Sequence, residues 1–113
     1  MLEDDNVGDV SGIMARSNIG AVLVLRNDGI LAGIFTERDL LRLSGAQAPV
    51  PRDIEVGKVM TRDPWGVPLD AGARGVAREM LNRGFRHAVV FGEDQAPIGI
   101  VSMRDMLAML LEE

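Results

Sequence analysis

Residues 33–40 read G-I-F-T-E-R-D-L, closing an apolar run that begins at Leu31 and opening a helical pattern that carries Leu40, Leu41 and Leu43. Thr36 sits at the changeover and is a good helix N-cap, because its hydroxyl can accept from an amide of the first turn. Asp39 follows inside that turn, where the helix N-terminus favours a carboxylate. Taken alone, T-x-x-D says only that a helix starts after a strand. The same pattern returns at 99–106 as G-I-V-S-M-R-D-M, and that recurrence decides the fold.

The two stretches lie 66 residues apart, and the register holds without a gap back to Asp4 and Asp70. Residues 4–41 set against 70–107 share ten identities in 38 positions, where ordinary residue usage gives about two or three. The chain is a tandem duplication. Two copies of about 50 residues would each be marginal alone, so their apolar faces are expected to pack on each other. A pair related by a pseudo-two-fold is expected, since a solenoid needs at least about three repeats.

Composition narrows the function classes. With no Cys and one His in 113 residues, a disulfide framework and a thiolate metal site are excluded, and no convincing metal site of any other kind can be assembled. The formal net charge of -5 argues against a general nucleic-acid binder, whose affinity rests on a positive surface. No apolar run approaches the length of a membrane span, and no charged segment leads into a signal-like apolar one. A soluble, cytoplasmic protein is expected.

Along the chain, Val7, Val10 and Met14 recur at helical spacing over 4–16 behind candidate caps at Asp4 to Asn6. A buried strand is expected over 19–25, a turn at Asn27-Asp28-Gly29, a second strand over 30–35, and a helix ending near Ser44-Gly45. Residues 54–60 suit a short helical turn, 62–64 a bend and 65–67 a short extended piece. The second copy repeats the pattern: helix 71–83, strand 88–91, turn 92–95, strand 98–101, helix 103–111. Each unit is thus helix, strand, strand, helix, in a mixed α/β (α+β) fold. The expected division is 1–45 for the first unit, 46–53 for a linker and 54–113 for the second unit. Met1 aligns with Val67, so the first unit is expected to lack the lead-in strand that the second has.

The duplication, the order of elements and the twin G-h-h-[ST]-x-x-D motifs resemble a tandem pair of cystathionine β-synthase (CBS) domains, the Bateman module. V-M-T-R-D-P at 59–64 and R-G-F-R-H-A-V-V at 83–90 are similar to that family too. The resemblance covers residues 4 to 111. It implies two clefts that take adenosine-containing ligands, with Asp on the ribose hydroxyls and Thr or Ser with basic residues on phosphate. By the family's pattern each cleft is composite, its adenine wall coming from the other unit's lead-in strand. Carried onto this sequence, the first cleft would use Asp39, Thr36, Arg38 and Ile34, with Pro64, Trp65 and Val67 around adenine and Arg86 and His87 toward phosphate. The second, weaker cleft would use Ser102, Arg104, Asp105 and Ile100. It meets Gly20 and Ala21 where the basic pair should be.

Other roles stay open for several of these residues. Trp65 suits a cap on an apolar cluster as well as an adenine wall, and Arg38 and Arg104 suit surface ion pairs. The methionines of the last helix suit packing or a dimer surface. No nucleophile with an adjacent base can be built from one His and scattered carboxylates, so no catalysis and no cofactor are expected. The expected function is regulatory sensing of an AMP-, ADP- or ATP-like ligand by a homodimer, with a regulated enzyme or transporter as a possible partner and neither nucleic acid nor membrane. The rival is a dimerisation or docking module whose clefts bind nothing.

Overall fold

The computed structural model describes residues 1–46 and 52–112. Its elements are α1 (Val7–Ser17), β1 (Ala21–Leu25), β2 (Leu31–Thr36), α2 (Glu37–Ala46), a 3-10 turn (Val56–Lys58), β3 (Thr61–Arg62), β4 (Gly66–Pro68), α3 (Ala73–Arg83), β5 (His87–Phe91), β6 (Pro97–Ser102) and α4 (Met103–Leu111). This is the mixed α/β succession expected, with two three-stranded sheets ordered β1-β2-β3 and β4-β5-β6.

The repeat is visible in the backbone even where the side chains differ. In the hairpins, the Arg26 amide donates to the Ile30 carbonyl at 2.8 Å and the Gly92 amide to Ala96 at 2.9 Å. Asp28 and Asp94 each accept the amide two residues on at 3.1 Å. The left-handed residue of the turn is Gly29 in one copy and Gln95 in the other, and the left-handed residue closing the first helix of each copy is Asn18 or Gly84. Asn and Gly tolerate that region best. The helix closure also explains why β1 starts at Ala21 and not at Ile19: the Ile19 amide donates back to the Met14 carbonyl at 3.1 Å, so Ile19 belongs to the cap.

In the first unit Val7, Val10 and Met14 of α1 pack on Val22 and Val24 of β1, Phe35 of β2, and Val56 and Met60. Each such side chain contributes about 1.5–3 kcal/mol by leaving water. In the second unit Val76, Ala77 and Met80 of α3 meet Met106 of α4, with Trp65, Val67 and Val101 packed around them.

The compact units are Met1–Asp63 and Pro64–Glu113, a later division than the repeat suggests. The reason lies in 54–62. Val56 and Met60 fill the first core, the Val56 and Gly57 amides donate to the Asp5 and Glu3 carbonyls at 2.8 and 2.9 Å, and β3 pairs antiparallel with β2. Of the expected linker 46–53, residues 47–51 lie outside the described residues; the Arg52 carbonyl accepts from the Gly8 amide at 2.9 Å.

Among the described residues no strand precedes α1 in the first unit, but a single bridge stands at the equivalent place. In the second unit β4 runs parallel to β5, and the Leu69 amide donates to Phe91 at 2.9 Å. In the first, Leu2 bridges Leu25 in the same parallel sense, the Leu25 amide donates to Met1 at 2.7 Å and the Glu3 amide to Leu25 at 3.2 Å. Met1 to Glu3 thus lie along β1 as β4 lies along β5.

Candidate functional site

Both helix starts are built as reciprocal caps. The Thr36 amide donates to Asp39 Oδ2 at 2.9 Å and the Asp39 amide to Thr36 Oγ1 at 3.3 Å. The Ser102 amide donates to Asp105 Oδ2 at 2.7 Å and the Asp105 amide to Ser102 Oγ at 3.0 Å. Each cap is tied to the neighbouring strand's start: the Glu37 amide donates to the Gly20 carbonyl and the Met103 amide to the Arg86 carbonyl, both at 2.9 Å. The Thr/Ser–Asp pair is thus held at a strand end, as the sequence indicates, by bonds that also start the helix.

Beyond the cap the copies diverge. Asp39 is 2% exposed and takes further bonds from Thr36 Oγ1 at 3.1 Å, from Thr61 Oγ1 at 2.9 Å to Oδ1 and 3.2 Å to Oδ2, and from an Arg42 terminal nitrogen at 3.1 Å. Four donors therefore serve a group with about four lone-pair sites. Asp105 is exposed. The strand starts differ in charge as well. Where the second copy has Arg86, the first has Gly20, and the Glu37 side chain occupies the space that a Cβ there would need.

The first unit gathers Ile34, Thr36 and Asp39. Ile34 is buried in β2 opposite Thr61, and Arg38 is exposed on the first turn of α2. In the second unit His87 is half-buried with its Cα opposite that of Ser102. Arg86 and Arg104 are exposed, and Ile100 is half-buried opposite Val89. Pro64 is half-buried, and Trp65 and Val67 pack against the second unit's own core. The Trp65 ring stacks on Phe85 with centroids 6.0 Å apart, and the Arg83 guanidinium lies 5.5 Å from it. The Trp65 carbonyl accepts from the Val89 amide at 3.0 Å.

Sequence reasoning missed Thr61, Arg42, Phe85 and Arg83. Arg42 was detectable as the helical neighbour three residues after Asp39. Nothing short-range marks Thr61, which is 22 residues from Asp39. Among the described residues there is no group of three or more His, Cys, Asp or Glu placed to hold a metal, and no helix is long and apolar enough to cross a membrane.

The family model for the CBS domain matches residues 2–46 and again 56–112. A 17.7 kDa protein of the bps2 3' region of Acidianus ambivalens is 34% identical over 108 residues, which are 94% of this chain but 63% of that protein. The chain thus spans under two thirds of that relative's length. Among solved structures, the CBS-domain containing protein ATU1752 from Agrobacterium tumefaciens superposes with TM-score 0.87 at 30% identity, over 96% of this chain and 80% of that one. The CBS domain protein PAE2072 from Pyrobaculum aerophilum, complexed with AMP, gives 0.84 at 25% identity, over 99% and 87%. Two family matches in tandem, one on each copy of the repeat, make this chain a member of the CBS-domain family and a tandem CBS pair.

Proposed function

We propose that the chain is a regulatory module that binds an adenine nucleotide and carries no chemistry of its own. The observation that carries the reading is the pair of capped carboxylates, Asp39 with Thr36 and Asp105 with Ser102, each held at a strand end. A carboxylate can accept from both hydroxyls of a ribose, and the AMP complex of the Pyrobaculum protein supports the ligand class. The proposed ligand contacts are Ile34, Thr36, Arg38 and Asp39 in the first unit and, in the second, Pro64, Trp65 and Val67 toward adenine with Arg86 and His87 toward phosphate. Ser102, Arg104, Asp105 and Ile100 form the second site. A cytoplasmic setting and a regulated enzyme or transporter belong to the same proposal.

Scanning fluorimetry with AMP, ADP, ATP and S-adenosylmethionine tests it. A ligand at 100 times its dissociation constant adds about 2.7 kcal/mol, which raises the melting temperature of a domain this size by several degrees or more. A flat response to all four ligands contradicts sensing.

The docking alternative draws on the outer helix faces. Leu41 of α2 is 70% exposed and Leu107 of α4 59%, at equivalent places in the repeat, and Leu111 is also exposed. We expect a homodimer through such surfaces. Light scattering at tens of micromolar should report it, and a strict monomer there contradicts it.

A further inference from the structure

We propose that Thr61 is a latch on the first unit's carboxylate, so that a ribose diol engages Asp39 only when the Thr61 hydroxyl leaves it. The inference rests on the reading of Asp39 as a ribose acceptor and adds how that site is controlled.

The acceptor capacity of Asp39 is full: the Thr36 amide, the Thr36 hydroxyl, the Thr61 hydroxyl and Arg42 all donate to it. An incoming diol brings two more donors, so some of those present must go. The Thr36 bonds also form the start of α2, and their loss would uncap the helix. The Arg42 side chain is 65% exposed, and its bond can pass to water at small cost. That leaves Thr61 as the donor whose departure decides access. It bridges both carboxylate oxygens and stands on the two-residue strand β3, paired with Ile34. A strand that short holds few bonds and can shift without unfolding the sheet behind it. In the latched state the apparent dissociation constant is the intrinsic one divided by the open fraction.

The test is calorimetric titration of AMP into the full chain carrying Asp105→Asn, which leaves the first site to be read. Thr61→Val, which removes the hydroxyl and keeps the shape, is expected to tighten AMP roughly tenfold or more. Thr61→Ser, which restores the hydroxyl, should return the affinity to that of the parent. Arg42→Gln should change it by about threefold at most and serves as the control, while Thr61→Ala is the second unlatching variant if Thr61→Val does not fold. Unchanged or weaker AMP binding in the folded Thr61 variant, with Asp39→Asn abolishing it, overturns the latch and leaves the ribose assignment standing. Full binding by Asp39→Asn overturns the ribose assignment itself, and the latch with it.

Discussion

Asp39→Ala is expected to lower the unfolding free energy by about 3 kcal/mol, against about 1 kcal/mol for Asp105→Ala. The two residues occupy one place in the repeat and make the same cap, so the difference isolates what surrounds them. At Asp105 the loss is that of an exposed helix cap. At Asp39 the alanine leaves the buried Thr36 amide and hydroxyl, and the Thr61 hydroxyl, without their charged acceptor. Arg42 keeps its solvation, because its side chain is mostly in water. A bond to a charged group contributes about 1.5–3 kcal/mol, and a stranded buried donor costs its desolvation besides. Some of that is recovered as the hydroxyls turn to other acceptors, which keeps the total near the lower end of the sum. Urea unfolding checks it through the midpoints. Equal losses at the two positions would mean that the Thr61 and Arg42 bonds contribute nothing to stability.

The pairing of Asp39 with Asp105 was legible because duplication supplies its own control: any position can be compared with its partner 66 residues away. That register located the hairpins and both Thr/Ser–Asp boxes, since all are local patterns of a few residues. It says nothing about features present in one copy only. β3 is two residues long, too short for a period-2 pattern to declare itself, and its pairing with β2 is set by the packing of Val56 and Met60 just before it. Thr61 was therefore invisible as a partner of Asp39, although V-M-T-R-D-P was recognised as a motif. The bridge between Leu2 and Leu25 is a feature of the same kind. Three residues, Met1 to Glu3, carry no strand signal, and only their bonds to Leu25 reveal the pairing. Trp65 was legible as an apolar contact, but its stacking on Phe85 depends on how the left-handed Gly84 turns the chain after α3.

The motif glycines provide a second matched pair. Gly33→Ala is expected to cost about 2–3 kcal/mol, whereas Gly99→Ala should be neutral or gain up to about 1 kcal/mol through a less flexible unfolded chain. Gly33 lies on the central strand of its sheet, with Val24 on one side and Arg62 on the other, and a Cβ there would run into the Thr61 carbonyl and the Met60 sulfur. The Thr61 carbonyl is backbone, so relief requires β3 itself to move. Around Gly99 a Cβ would meet nothing within 4 Å, and neither glycine is in the left-handed region, so backbone strain does not separate them. The difference should appear in urea midpoints. It should also appear at the proposed ligand site, because moving β3 carries the Thr61 hydroxyl away from Asp39. Gly33→Ala should therefore destabilise the fold and tighten AMP together, a combination that damage to packing alone does not produce. Matched losses in both alanine variants would show that the Thr61 carbonyl and Met60 sulfur yield to a Cβ at Gly33 at no cost.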